Sequence, residues 1–230
     1  MFPKDYYRRH LPHFQPQDAW YSATIRLAGS LPLNVVLQLQ EEQAMLRHRL
    51  EGISNTSARA SLLREAQEDH NRKFDRLLHA NHSGPNWLGR EDIATVVSSS
   101  LHAMDRRTFQ LLAHTIMPNH VHVVFATGDA KLPIDQAEKK QELTIERFEF
   151  PVTKIFASIK KFTARRANAL LDRRGAFWQE ETYDHVIRDS EELIRAIRYV
   201  LMNPVEAKLV DDWRDWAWTY CKEELVQYVL

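Results

Sequence analysis

Residues 109–125, FQLLAHTIMPNHVHVVF, contain the pattern that decides the fold. Two apolar, β-prone runs flank a Met-Pro-Asn tripeptide at 117–119. Because proline cannot donate a hydrogen bond within a sheet ladder, Pro118 predicts a turn between two antiparallel strands. The segment therefore predicts a β-hairpin whose second strand begins at His120.

The remaining sequence alternates between strand-like and helical patterns. Strand-like runs occupy 19–27 and 182–187, and helical patterns occupy 34–75 with a break near Gly52, 91–104, 152–171 and a last segment from an N-cap at Ser190 to Pro204. Strands interleaved with helices, and at least one hairpin, predict a single α+β domain over residues 1–230, with helices packed on an antiparallel sheet. The segment 205–230 forms a Trp-rich tail, whose Trp213, Trp216 and Trp218 are expected to serve packing.

Composition and charge exclude several classes of protein. The 230 residues are 44% hydrophobic and 27% charged, which is globular composition and argues against a disordered chain. The single cysteine, Cys221, cannot form an internal disulfide, and no apolar span or export signal is apparent, so a cytoplasmic protein is expected. The formal net charge is zero, so any nucleic-acid signal must be local.

His120 and His122 are the first candidates for chemistry. Residues two apart on a strand point to the same face, so both imidazoles can approach one ion while Val121 faces the core. The His-x-His pattern alone is weak, because a chain with 11 histidines has a fair chance of containing one. The spacing of the two histidines is equally compatible with a metal site and with a pair of histidines that face solvent.

Tyr199 and Asn203 are the second candidates. They are four residues apart, so a continuous helix presents both on one side, where Tyr199 could act as a nucleophile and Asn203 as an oxygen ligand. The structural alternative is a packed Tyr199 with Asn203 as the N-cap of a further helical turn, followed by Pro204 and Glu206 in a capping box. From the residues alone, this structural interpretation is the simpler one.

The local charge signal lies in 154–174. This segment has a net charge of +6, with Asp172 as its one acid. Its basic residues are Lys154, Lys160, Lys161, Arg165, Arg166, Arg173 and Arg174. A solvated helix face is the alternative, but such faces usually mix charge signs, so the segment favours binding to the phosphates of a nucleic acid.

Several separate strings match one known family. The strings are TIMPNHVHVV at 115–124, IKKF at 159–162, WQ at 178–179, YDHVIR at 183–188 and YVLMNPVEA at 199–207. In order and approximate spacing, over about residues 19–210, the chain resembles the single-tyrosine HUH transposases, and most closely the REP-associated tyrosine transposases. The resemblance favours a functional role over a purely structural one for the pair His120 and His122 and for the pair Tyr199 and Asn203.

The resemblance implies a role for each matched residue. His120 and His122 correspond to the histidines that bind a divalent ion, Mg²⁺ or Mn²⁺, Asn203 to a polar third ligand and Tyr199 to the nucleophile. It also implies a ferredoxin-like or RRM-like antiparallel sheet with helices packed on it. The stretch 38–104 is longer than in compact members, so we interpret it as a helical insertion.

The implied activity is nicking and strand transfer on single-stranded DNA hairpins through a 5′-phosphotyrosine, in the nucleoid, by a homodimer or by one chain in successive rounds. Trp178, Tyr183 or Phe162 could stack on bases, although Phe162 is expected in the core. Two alternatives stay open: a catalytically inactive nucleic-acid-binding module of the same fold, and a metal phosphohydrolase that uses water and not Tyr199.

Overall fold

The structure, a computed structural model, describes residues 6–8, 12–80, 84–132 and 150–229. The strands are β1 (Tyr6–Arg8), β2 (Pro12–Phe14), β3 (Trp20–Arg26), β4 (Gln110–Ile116), β5 (His120–Ala126), β6 (Tyr183–Ile187) and β7 (Thr219–Cys221). The helices are α1 (Leu33–Glu51), α2 (Thr56–Ala80), α3 (Glu91–Met104), α4 (Pro151–Leu170), α5 (Ser190–Glu206) and α6 (Glu223–Val229). The described residues form two compact units, one from 1–27 and 86–230 and the other from 28–85.

The first unit is built on a five-stranded antiparallel sheet with the strand order β6-β3-β5-β4-β7. Along the chain its elements follow as β3-α3-β4-β5-α4-β6, with the first and third of these strands paired at the centre. This is the arrangement of a ferredoxin-like fold, to which β7 adds an edge strand. The predicted α+β class with an antiparallel sheet is confirmed.

The predicted hairpin is formed by β4 and β5. The two strands pair up to Ile116 and Val121, and the turn at 117–119 is closed by Met117, whose N–H donates to the His120 carbonyl at 2.9 Å. A register irregularity between Leu111 and Ala113 interrupts the ladder. Because β5 is central in the sheet, all seven of its residues are buried.

The two faces of the sheet carry separate apolar clusters. Val121, Val123 and Phe125 pack with residues of α3 and α4. Val124 and Ala126 pack instead with residues of α5 and α6. Since side chains alternate along a strand, the even-numbered residues of β5, including both histidines, face α5.

Helix α4 begins at Pro151. A proline is well tolerated there, because the N–H of the first helical residue has no acceptor within the helix. Its buried stripe runs from Ile155 and Ile159 to Thr163 and Ala167. The last buried positions of the helix, Ile159, Thr163 and Ala167, are four residues apart. Phe162 therefore lies beside the buried stripe, and 48% of its surface is exposed. The expectation that Phe162 lies in the core was wrong for this reason.

Helix α5 differs from the sequence expectation at both ends. Its N-cap is Asp189 and not Ser190, because the Asp189 carboxylate accepts from the Glu192 N–H at 2.8 Å. The helix also continues through Pro204 to Glu206, so that Asn203 lies inside it and is not an N-cap. The Asn203 carbonyl accepts from the Ala207 N–H at 3.0 Å, which sustains this last turn.

The second unit contains α1 and α2, which lie largely within the predicted insertion 38–104. The Lys73 ammonium of α2 pairs with the Glu42 carboxylate of α1 at 2.6 Å. Helix α3, at the end of the predicted insertion, belongs to the first unit. Among the described residues, no helix is long and apolar enough to cross a membrane.

The Trp-rich tail closes the edge of the sheet. Strand β7 pairs with β4, and the Trp216 indole N–H donates to the Ile116 carbonyl at 3.0 Å. Trp218 packs against the cluster beneath α3 and α4. Trp213 packs against the cluster on the other sheet face, so all three tryptophans are used in packing or in a hydrogen bond within the fold.

Candidate active site

His120 and His122 lie side by side on β5, on the sheet face covered by α5. Their ring centroids are 4.7 Å apart and the rings are nearly perpendicular, at 85°. Only 0% and 2% of the two side chains is exposed. The pair is therefore an internal feature of the fold and not a pair on a solvent face.

One nitrogen of each ring is held by a neighbouring oxygen. The His120 Nδ1 lies 2.6 Å from the Asn119 Oδ1, and the His122 Nδ1 lies 2.8 Å from the Thr24 Oγ1. The Asn119 oxygen can only accept, so the Nδ1 of neutral His120 carries the proton. If Thr24 likewise accepts from His122, each Nε2 keeps a lone pair.

This arrangement fits a metal ion. Metal-binding histidines commonly donate their second ring N–H to a carbonyl, carboxylate or water, which fixes the tautomer that presents the other nitrogen. The two Nε2 atoms are buried, as ligand atoms in a closed site are. Two imidazoles do not complete a coordination shell, so His120 and His122 would need further ligands.

Tyr199 of α5 reaches the histidine pair. Its ring centroid lies 5.8 Å from that of His122, with the rings at 77°. The helix is held against the sheet by Ile197, Val200 and Leu201, which leaves the half-buried Tyr199 facing the histidines. Asn203 follows one helical turn later and is fully buried.

Strand β3 contributes two residues that the sequence analysis missed. In the ladder, Thr24 lies opposite His122 and Arg26 opposite His120. Arg26 is only 3% exposed, and burial lowers the pKa of its guanidinium, with Tyr183 acting in the opposite direction. The available signal was an arginine within an apolar strand, two residues after a threonine, because such residues share one face.

The basic segment forms the solvent side of α4 and the turn after it. Five of its seven cations are exposed, and they are Lys154, Lys161, Arg165, Arg166 and Arg174. The exposed Phe162 lies among them, with Arg165 and Arg166 three and four residues further along the helix. This surface combines positive charge with an accessible aromatic ring.

The two other cations are engaged inside the fold. The Lys160 ammonium lies within 3.1 Å of the carbonyls of Gln179, Glu180 and Glu181 and of the Thr182 hydroxyl. The Arg173 guanidinium lies 4.1 Å above the Trp87 ring, and it donates to the Asn168 Oδ1 at 2.7 Å. Lys160 and Arg173 therefore stabilise the chain segments that they contact, and they also add to the positive electrostatic potential around α4.

Trp178, which the sequence suggested as a stacking residue, is only 7% exposed. Its indole N–H donates to the Thr163 hydroxyl at 2.8 Å, and its ring packs on Phe177. Trp178 therefore belongs to the core. Of the three aromatic residues suggested for stacking, Phe162 is exposed, Tyr183 is half-buried and Trp178 is buried.

A comparison with a curated protein agrees with the motifs. A Haemophilus influenzae protein that bears the name of a REP-associated tyrosine transposase is 23% identical over 111 residues, 48% of this chain and 58% of that protein. A solved structure of a REP-associated tyrosine transposase bound to a REP hairpin covers 93% of this chain and 80% of its own, at 15% identity and a TM-score of 0.44. The chain thus spans little more than half the length of its curated relative, and no family model matches it. By its motifs and by this relative, the chain is similar to the REP-associated tyrosine transposases.

Proposed function

We propose that the protein is a metal-dependent transposase that nicks and rejoins single-stranded hairpin DNA through Tyr199. The observation that carries the proposal is the contact of Tyr199 with His122, 5.8 Å between ring centroids, beside a buried second histidine. A tyrosine packed against one of two adjacent histidines of fixed orientation is a suitable arrangement for a nucleophile near a phosphate held by a metal. The motif strings support the same assignment.

The proposed reaction exchanges one phosphodiester for another. The Tyr199 Oη forms a bond to the scissile phosphorus, the bond from phosphorus to the 3′ oxygen breaks, and that oxygen takes up a proton. The phenolic proton leaves to solvent. Attack by a 3′-hydroxyl on the 5′-phosphotyrosine reverses the exchange and joins strands, so no nucleotide cofactor is needed.

The proposal assigns His120, His122 and Asn203 as metal ligands. When bound, Mg²⁺ or Mn²⁺ would offset the charge on the scissile phosphate and make it more electrophilic. The amide oxygen of Asn203 adds a hard donor to the two imidazoles, which suits Mn²⁺ and Mg²⁺ better than imidazoles alone. We assign to Arg26, which lies opposite His120 in the ladder, the binding of a non-bridging phosphate oxygen.

The DNA backbone would run along the exposed side of α4. Lys154, Lys161, Arg165 and Arg166 offer four cations over three turns of the helix, and Arg174 extends the surface beyond its end. Each phosphate that they neutralise releases counterions, so binding should weaken steeply with salt. Phe162 is available for a base to stack on. Lys160 and Arg173 support this surface through the loops that they hold.

An adduct assay tests the nucleophile. A 5′-phosphotyrosine keeps the DNA on the 3′ side of the cut, so a single-stranded hairpin labelled on that side and incubated with Mg²⁺ should give a labelled band stable in denaturant. Tyr199→Phe should abolish the band, whereas Tyr228→Phe, on the exposed side of α6, should leave it unchanged. An adduct that persists in Tyr199→Phe would overturn the assignment and turn attention to Tyr183. Cleavage without any adduct would indicate a phosphohydrolase, and binding without cleavage an inactive module.

A titration with Mn²⁺ tests the ligands. His122→Ala and Asn203→Ala should each weaken Mn²⁺ binding, measured by the loss of the free-ion EPR signal. Asp184→Asn is the comparison variant, because Asp184 is a carboxylate of β6 in the same unit, and its side chain alternates away from the sheet face of Tyr183 and His122. If Asn203→Ala weakens Mn²⁺ binding no more than Asp184→Asn does, the assignment of Asn203 is wrong.

A further inference from the structure

A second histidine pair lies in the first unit, apart from the β5 pair. His102 is in the last turn of α3 and His114 is in the middle of β4. Their Nε2 atoms are 3.3 Å apart, and their ring centroids are 5.3 Å apart at 71°. The His114 ring is buried, whereas His102 is exposed, so the two nitrogens meet at the boundary with solvent.

The distance between the two nitrogens fits shared coordination. Two imidazole nitrogens bound at about 2.0–2.1 Å to a tetrahedral Zn²⁺ are roughly 3.3–3.4 Å apart. A direct hydrogen bond between the rings would prefer a shorter separation, about 2.9–3.0 Å. The separation seen here is therefore long for a hydrogen bond and close to that of two ligands of one ion.

The surroundings also favour a cation. His102 lies in the last turn of α3, at the end of the helix that carries partial negative charge. Tyr220 of β7 covers the pair, with its ring centroid 4.7 Å from that of His102 and 5.7 Å from that of His114.

We propose that His102 and His114 form a second metal site that takes a borderline transition ion of the Zn²⁺ class, with solvent water completing the shell. Imidazole ligands select Zn²⁺, Co²⁺, Ni²⁺ or Cu²⁺ over Mg²⁺. The bound ion would tie α3 to β4 beneath Tyr220 of β7. This site does not depend on the proposed transposase activity, because none of its residues belongs to the site on β5.

Co²⁺ titration of the full chain tests the site, because the visible absorption of Co²⁺ reports coordination by nitrogen. In the background His120→Ala/His122→Ala, one Co²⁺ should still bind per chain. Adding His102→Gln, which keeps a polar side chain at this exposed position, should weaken that binding at least tenfold. No Co²⁺ bound in the double variant, or an affinity unchanged by His102→Gln, would overturn the proposal.

A second measurement covers the case in which the double variant does not fold. In the wild-type chain, the imidazole ¹⁵N resonances of both His102 and His114 should shift when Zn²⁺ is added. Mg²⁺ at the same concentration should leave both resonances in place. If Zn²⁺ leaves the two Nε2 resonances unmoved, the pair is a hydrogen bond between neutral rings and the proposal fails.

Discussion

Lys160 should contribute to stability far more than its neighbour Lys161. Its ammonium lies 2.9, 3.0 and 3.1 Å from the carbonyls of Gln179, Glu180 and Glu181, and 2.8 Å from the Thr182 Oγ1. These contacts fasten the segment before β6 to α4. Lys160→Met keeps most of the aliphatic stem and removes the donor, so it isolates the contribution of these contacts.

The magnitude follows from the number of contacts and their exposure. A hydrogen bond to a charged group contributes about 1.5–3 kcal/mol, but the three N–H donors of Lys160 are shared among four acceptors. The site is half-buried, so water can replace part of what is lost. We expect Lys160→Met to lower the free energy of unfolding by about 2 kcal/mol, which is about 1 M in the urea midpoint.

Lys161→Met is the matched control. Lys161 is exposed one residue further along α4, so its loss should change the free energy of unfolding by less than about 0.5 kcal/mol. In DNA binding the order should reverse. Lys161→Met should lower the salt slope on single strands by about 0.7, the contribution of one phosphate, while Lys160→Met keeps it. Equal urea midpoints for the two variants would refute the structural role of Lys160.

Three further variants probe the site, the surface and a helix cap. Thr24→Val removes the oxygen that holds the His122 Nδ1 and should weaken Mn²⁺ binding about 10- to 100-fold in an EPR titration; unchanged binding would mean that this contact does not orient the ring. Phe162→Ala should weaken the binding of single-stranded DNA by about 1–3 kcal/mol, measured by fluorescence anisotropy, and Phe162→Trp should bind like the wild type. Equal affinity of the Ala and Trp variants would exclude stacking. Asp189→Ala should lower the free energy of unfolding by about 1 kcal/mol in urea, because the Glu192 N–H loses its acceptor, whereas Asp189→Asn should retain most of it.

Local periodicity explains why the sequence could predict which candidate residues are neighbours. The side chains of a strand alternate, so His120 and His122 had to share a face wherever the strand lay. Residues four apart on a helix share a side, so Tyr199 and Asn203 had to be neighbours. The Pro118 turn depends only on the missing proline N–H, and the hairpin followed from it.

Competition between local alternatives explains the predictions that were wrong. Asp189 and Ser190 are both good N-caps, and the choice between them depends on where β6 ends and α5 begins. Phe162 has the hydrophobicity of a core residue, but the buried stripe of α4 follows Thr163 and Ala167. The N-cap of α5 and the exposure of Phe162 both depend on where the neighbouring elements lie. That position cannot be read from the local sequence pattern.

The sequence alone determined the hairpin, the shared face of the two histidines and the concentration of positive charge in 154–174, because each depends on residues that are close together in the chain. Tertiary structure decided that α5 covers the histidine face and that Thr24, 98 residues before His122, holds its ring. It also decided that Lys160 faces a loop whereas Lys161 faces solvent. These features depend on strand pairing and on the packing of distant apolar surfaces, which place residues together only when the whole core forms.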